Sequence, residues 1–280
     1  MRSLSRPGHI SKTIQIALGV VCSLTLPLCL HAQAVEPAEQ FVGLIEKARG
    51  LPASADELLA ASGEVESALG SNPLRSPARS IRALAELHNG GQARARLILE
   101  ELAADSREAA AYHAARHAAR LLLTLMDREQ MTDALQRYYA KNLRYPASIE
   151  ALSASLPGST LPLHDRWGDP WDYALTTPRF FQVKEGQTYR LSSKNTGDLQ
   201  ALSQALARAY GARLQPFEIT QVVPTRAGGG PITTFRNRRT REEISLSANS
   251  WVDSLWFLGQ EGDYLFISDG FHFDTVNASR

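Results

Sequence analysis

The stretch 165–173, Asp-Arg-Trp-Gly-Asp-Pro-Trp-Asp-Tyr, decides how the middle of this 280-residue chain is expected to fold. Gly168 permits a backbone turn that other residues rarely adopt, and Asp169-Pro170 is a turn dipeptide that can start a strand. The large aromatic side chains are Trp167, Trp171 and Tyr173. They supply the area that a small antiparallel meander needs to pack on a helix. The stretch therefore predicts a turn followed by an aromatic strand.

Helix and strand signals continue on both sides of this stretch. Upstream, residues 106–142 have the length of a helix that ends before Pro146, which cannot continue it. Its apolar stripe includes Leu121, Leu122, Leu125, Leu135, Tyr138 and Tyr139. Downstream, residues 180–183 and 188–191 have strand character and flank a Glu-Gly hairpin signal. We therefore predict a long helix followed by a meander of three strands.

The outer parts of the chain differ in composition. Residues 35–126 are rich in Ala, Leu, Glu and Arg, and their only aromatic residues are Phe41 and Tyr112, which favours helices. Beyond Gly211, short β-type runs alternate with turn signals; they are 217–223, 232–235, 244–246, 255–258 and 264–268. The pattern predicts an α+β fold with a helical region at 35–126, a helix-plus-meander domain at 127–198, a connecting helix at 199–213 and a small all-β unit at 214–280.

The first 34 residues have the pattern of an export signal. Three bases and no acid precede an apolar run over 13–30, and Ala32-Gln33-Ala34 is a small-x-small cleavage site. We expect cleavage after Ala34 and a periplasmic or secreted protein. The alternative is an uncleaved segment that anchors the chain in the inner membrane. A run of 18 apolar residues is about the shortest that can span a bilayer as a helix.

Charge and cysteine content exclude several classes of function. The formal net charge is +1, which argues against a protein built to bind nucleic acid. Both cysteines, Cys22 and Cys29, lie in the expected export signal. A cleaved chain would therefore have no disulfide, no cysteine-bound metal and no thiol catalysis.

Residues 131–198 resemble the globular domain of the GspG-type major pseudopilin of type II secretion systems. Residues 142–148, Asn-Leu-Arg-Tyr-Pro-Ala-Ser, are similar to the family's Asn-Gly-Arg-Tyr-Pro-Thr-Ser, and 165–173 are similar to Asp-Pro-Trp-Gly-Asn-Pro-Tyr-x-Tyr. Residues 189–193, Tyr-Arg-Leu-Ser-Ser, with Gly197-Asp198, are similar to the family's Tyr-x-Leu-x-Ser strand and Gly-Asp loop. The resemblance implies a pilin-like head whose structural motif residues are Tyr145, Pro146, Asp165, Trp167, Gly168, Pro170, Trp171 and Tyr173.

The chain departs from that family in two respects. Gly8 is followed by His9, and the fifth residue after it is Thr13, where a prepilin has a glutamate in an apolar helix. We therefore expect no polymerisation as a pilin. The loop that would hold the family's calcium ion is short, and its candidate ligands are Asn195 and Asp198. Because calcium takes six to eight oxygen ligands, we expect no cofactor, with calcium as the alternative.

One cluster of arginines lies in the C-terminal part. The cluster comprises Arg226, Arg236, Arg238, Arg239 and Arg241. It could face an acidic partner, lipid headgroups or a polysaccharide, and the competing interpretation is a solvated hairpin tip. We predict these residues as the partner-binding set.

Signals for catalysis are weak. His113 and His117 have the spacing of a metal pair, but no glutamate follows His113, so a helical face is the simpler interpretation. His164-Asp165 is interpreted as part of a turn. Because the common nucleophile motifs are absent, we expect no enzyme and no catalytic residue.

These observations lead to three functional hypotheses. The first is a non-enzymatic exported protein that acts as a binding or assembly module of a type II secretion or type IV pilus-like system. The second is an exported hydrolase or carbohydrate-binding protein that reuses the pilin-head fold. The third is a structural scaffold of the cell envelope.

Overall fold

The computed structural model describes residues 36–49, 55–156, 158, 160–176, 188–211, 217–223, 232–252 and 255–277. Val35–Arg280 forms one compact unit. The α+β class is confirmed, since helices fill the N-terminal half and antiparallel sheets follow. The expected export signal with its cleavage site at Ala34, the expected strand 180–183 and Arg226 lie outside the described residues. In the described ranges, no helix combines the length and the apolar content needed to cross a membrane.

Consecutive helices pack against one another in the N-terminal part. They are α1 (Pro37–Arg49), α2 (Ala55–Leu69), α3 (Arg75–His88), α4 (Gln92–Ala103) and α5 (Ala110–Asn142). The turn between α3 and α4 contains Gly90 with φ of +75°. The long helix begins at Ala110, later than predicted, because the Asp105 carboxylate accepts a hydrogen bond from the Arg107 amide at 3.0 Å and holds a turn there.

Helix α5 contributes to two separate hydrophobic cores. In its first half, Leu122, Leu123 and Leu125 are fully buried among the neighbouring helices. In its second half, Met131, Ala134 and Leu135 form a narrower buried stripe.

The second half of α5 carries a small unit, which we call the head unit. It comprises α6 (Ile149–Ser155), the loop 160–171, β1 (Asp172–Thr176), β2 (Thr188–Ser192) and a 3-10 turn at Lys194–Thr196. The strands pair antiparallel, with Tyr173 opposite Leu191. Helix α6, which the sequence did not predict, begins where the Ser148 hydroxyl accepts a hydrogen bond from the Ala151 amide at 3.2 Å.

Helix α7 (Leu202–Gly211) leads into two antiparallel sheets. The three-stranded sheet has the order β3 (Phe217–Val223), β4 (Ile232–Asn237) and β5 (Glu243–Ser247). The four-stranded sheet has the order β6 (Ser250–Val252), β7 (Leu255–Glu261), β8 (Tyr264–Ser268) and β9 (Phe273–Asn277). The edge strands β6 and β9 were not predicted.

The central strands β7 and β8 of the four-stranded sheet are buried on both faces. Trp256 and Phe266 point into the core formed by the helices, whereas Phe257 and Ile267 pack against the three-stranded sheet around Phe235. Because successive residues of a strand point to opposite faces, the uninterrupted apolar run of β7 places this sheet as a middle layer. The C-terminal strands therefore pack back on the helices.

Candidate binding surfaces

The loop 165–171 of the head unit is held by one buried carboxylate. Asp165 is 5% exposed. One of its oxygens accepts hydrogen bonds from the backbone amides of Trp167 and Asp169, at 2.9 and 3.0 Å. The other accepts from the Ser193 hydroxyl and the Asn195 amide, at 2.6 and 2.8 Å. Four protein donors satisfy this buried carboxylate, and it joins the turn to the end of β2.

The calcium candidates lie beside this network. The Asn195 amide also donates to Asp169 at 2.8 Å, and the Lys194 ammonium lies 2.8 Å from the same carboxylate. The hydrogen bonds from Lys194 and Asn195 hold the pKa of Asp169 below its usual range. Asp198 is exposed on the next turn. Calcium needs a shell of oxygen ligands, whereas nitrogen donors already occupy these carboxylates, so the arrangement does not fit that ion.

Trp167 and Trp171 separate onto two cores. Trp171 is buried in the core of the head unit, as the sequence predicted. The Trp167 ring instead packs against the helical core, 5.5 Å from the His117 ring. His117 also lies 5.3 Å from the Trp256 ring, and burial lowers its pKa. Trp167 therefore joins the head unit to the rest of the protein rather than filling the head itself.

Four half-buried tyrosines form a connected group at the end of the head unit. The Tyr139 and Tyr145 rings stack at 4.7 Å, and Tyr145 meets Tyr189 edge-on at 4.8 Å. Tyr173 lies 6.2 Å from Tyr189 and donates a hydrogen bond to the Pro146 carbonyl at 2.8 Å. Burial raises the pKa of Tyr173 to about 12. This phenol therefore stays protonated and serves as a hydrogen-bond donor.

The arginine cluster lies on the β4–β5 hairpin. Arg236 donates to Glu243 at 2.6 and 3.0 Å, and Arg238 donates to Glu218 at 3.2 Å. Arg239 and Arg241 are exposed at the hairpin tip, and neither forms an ion pair with a carboxylate of the described residues. Two charges are therefore locally neutralised and two are available to a partner.

The histidines of the sequence analysis do not converge. His113 pairs with Glu108 at 3.0 Å and lies 4.4 Å from the exposed Trp251 ring. The Nδ1 atom of His117 lies 3.1 Å from the Gly270 carbonyl. His164 is exposed and forms a lone β-bridge to Pro170. Among the described residues, no three His, Cys, Asp or Glu side chains are grouped to hold a metal ion.

One buried ion-pair network was not predicted from the sequence. Asp127 is fully buried and accepts hydrogen bonds from Arg166 at 2.5 and 3.1 Å and from Arg96 at 2.9 Å. It lies where the two cores of α5 meet. The available signal was a carboxylate placed directly after the run 121–126, in which Thr124 is the single polar residue, because a charge is rarely buried without a partner.

Known proteins give no direct guide to these surfaces. Neither a protein-family model, nor a curated protein, nor a solved structure matches the chain. The chemistry of the surfaces themselves therefore indicates what they can bind.

Proposed function

We propose that this chain is a non-enzymatic exported protein that acts as a binding or assembly module of a type II secretion or type IV pilus-like machine. The observation that carries the proposal is the convergence of three distant segments on the second half of α5. Their shared buried residues are Met131, Leu135, Ile149, Trp171 and Leu191. These segments are the ones on which the resemblance to the major pseudopilin depends.

The head unit is suited to presenting a fixed surface. The buried Asp165 ties the turn to β2, and the Tyr173 hydroxyl ties β1 to the Pro146 loop. Such internal bonds hold the loops in one arrangement before binding, which lowers the entropy lost on association. The mechanism we propose is therefore docking of preformed surfaces, without a chemical step.

The arginine hairpin supplies the electrostatic part of the proposal. Arg239 and Arg241 present exposed guanidinium groups that form no ion pair within the described chain. Guanidinium groups bind carboxylates and phosphates in a forked geometry. Charges at the rim of an interface mainly raise the rate of association and its sensitivity to salt.

Hydrolysis is the competing proposal, and the carboxylates of the head unit disfavour it. Asp165 and Asp169 share the Asn195 amide as a donor, so they form a close pair. A general acid needs a raised pKa, but the bond from Lys194 lowers the pKa of Asp169. The four donors around Asp165 leave it tied to the protein.

The proposal is tested by crosslinking in cells, isolation of the envelope fraction and mass spectrometry of the captured proteins. We expect the wild-type chain to capture pseudopilins, a secretin or inner-membrane assembly proteins. The double variant R239E/R241E should lose most of that capture. When the isolated envelope fraction is crosslinked instead, the difference between variant and wild type should shrink at high salt. Arg94 and Lys47 are also exposed, so K47E/R94E is a control with the same change in charge. Capture of no envelope component by the wild type would overturn the proposal.

A further inference from the structure

Leu143 ends α5 in an unfavourable backbone conformation. Its φ is +55° and its ψ is +22°, the left-handed helical region. In this conformation its amide donates to the Tyr139 carbonyl at 2.7 Å and closes the last turn. Glycine and asparagine are the residues that usually occupy such a position, because a larger side chain crowds the backbone. A leucine is therefore a poor choice for ending the helix.

The Leu143 side chain is also unusually exposed. It is 80% exposed, more than any other large apolar side chain of the described residues. The next most exposed is Leu97 at 63%, in the regular helix α4. A single exposed leucine needs no explanation, but Leu143 combines exposure with backbone strain. The left-handed backbone closes the helix, but neither a leucine at that position nor its exposure helps the fold, and local strain of this kind is commonly found at functional sites.

The surroundings of Leu143 combine aromatic and basic groups. Tyr139 lies one turn before it and Tyr145 two residues after it, and their rings stack on each other. Stacking covers the facing sides of these two rings, and Tyr145 also meets the Tyr189 ring. The exposed aliphatic Leu143 beside them favours an apolar protein side chain as its partner over a carbohydrate.

The charge around Leu143 is positive. Lys141 and Arg144 are exposed on either side of it, and neither forms an ion pair with a described carboxylate. Glu150 on α6 is an exposed acid that stays ionised, because a hydrogen bond from the Ser148 hydroxyl lowers its pKa, so the exposed cations outnumber it. An exposed apolar side chain next to two exposed cations in the sequence is complementary to an apolar side chain flanked by acids.

We propose that Leu143, Tyr139, Tyr145, Lys141 and Arg144 form a docking surface for an acidic segment of a partner protein that carries an apolar side chain. We call it the Leu143 patch. The proposal rests on the proposed function, because it assumes that this chain binds a protein. It adds a second contact to the arginine hairpin and names the chemistry that this contact recognises.

Photocrosslinking from position 143 tests the proposal directly. The photoreactive residue p-benzoylphenylalanine replaces Leu143 in one variant and Leu97 in a control variant, in cells that produce the protein. We expect position 143 to give an adduct with a protein segment in which Asp and Glu outnumber Lys and Arg around an apolar residue. Position 97 should give no such adduct.

A second set of variants separates binding from folding. L143G should leave the unfolding midpoint unchanged or higher, because glycine relieves the strained backbone, yet reduce capture of the partner at least tenfold. L143M, which keeps an apolar side chain, should retain capture, and so should L97A. K141E/R144E should also reduce capture, with an effect that weakens in high salt.

The outcomes distinguish this inference from the proposed function. Adducts only with a second copy of the chain, with lipid or with a basic segment would overturn the inference, as would unchanged capture by L143G. If envelope components are captured by the whole protein but position 143 gives no adduct, the inference fails and the proposed function stands. If neither experiment captures a protein, both fail.

Discussion

The two halves of α5 show how one helix can serve two purposes. Residues 110–126 are buried on nearly all sides, with small alanines facing neighbouring helices and leucines filling the space between them. Residues 131–142 bury a single stripe and leave the opposite face exposed. The first half therefore acts as part of the large core, and the second half supports the head unit around a smaller core of its own. The tightly packed first half of α5 thus fixes the helix on which the head unit presents its surface.

Truncation of a leucine in each half should show this difference most strongly. Leu122→Ala removes a fully buried side chain from the large core and should cost about 4 kcal/mol of unfolding free energy. Leu135→Ala, also fully buried, should instead raise amide hydrogen exchange mainly in β1, β2 and α6. Exchange measured by mass spectrometry checks both. The exposed Leu97→Ala is the control, and equal exchange patterns for the two variants would contradict the division.

Gly270 joins the first half of α5 to the four-stranded sheet. Its φ is +84°, and a Cβ atom there would lie 2.6 Å from the Trp256 ring and 2.9 Å from His117 Nδ1. Gly270→Ala should therefore cost about 3 kcal/mol, from crowding and backbone strain together. Gly262→Ala is a matched control, because Gly262 also has positive φ but nothing within 4 Å. Chemical denaturation should show a clearly smaller loss for the control.

Burial of His117 should make this junction sensitive to acid. Burial lowers the pKa of His117 in the folded state. The unfolded chain therefore binds a proton at this histidine more readily than the folded protein does, and protonation favours unfolding. Stability should therefore fall as pH decreases from 7 through the unfolded pKa of about 6.5, by at most about 1.4 kcal/mol per pH unit. His117→Gln should remove this part of the pH dependence. His113→Gln is the control, and an equal slope in wild type and His117→Gln would contradict the prediction.

The smallest effect is expected in the head unit, on addition of calcium. The Lys194 ammonium already binds the Asp169 carboxylate, and the Asn195 amide binds both Asp165 and Asp169. A ligand that binds only the folded state raises the melting temperature. We expect calcium to leave the melting temperature of the wild type unchanged. Lys194→Ala removes the ammonium from Asp169 and leaves the Asn195 amide in place, and this variant serves as the comparison. A calcium-dependent rise in the wild-type melting temperature, reversed by EDTA, would show that the donor set can rearrange.

The sequence predicted well those elements with strong periodicity. Helix α5 was readable because Pro146 marks its end, and β7 and β8 because they are aromatic or β-branched runs between turns. Helix α6 and strand β6 were missed because seven and three residues give too little pattern. Strand β9 was missed because it contains only two apolar side chains in five residues.

The candidate surfaces were only partly readable. The motif at 165–173 indicated a turn at Gly168 and Asp169-Pro170 but not the buried Asp165 that holds it, and the arginine cluster indicated a basic hairpin. The sequence did not indicate that Trp167 faces His117, because the direction of a loop side chain depends on packing between distant segments. Leu143 was also missed, since a left-handed backbone at a leucine leaves no trace in composition or periodicity.

The middle position of the four-stranded sheet has a consequence for the order in which the protein can fold. Phe41 in α1 packs 5.5 Å from Phe266 in β8, and Arg49 pairs with Asp274 in β9. The helices therefore cannot complete their core until β8 and β9 are also present. For an exported protein, as proposed above, that condition is met only after these strands have crossed the membrane. Contacts of such long sequence separation slow folding and leave apolar surface exposed in the meantime. The unfolded chain should therefore depend on chaperones until β9 is available.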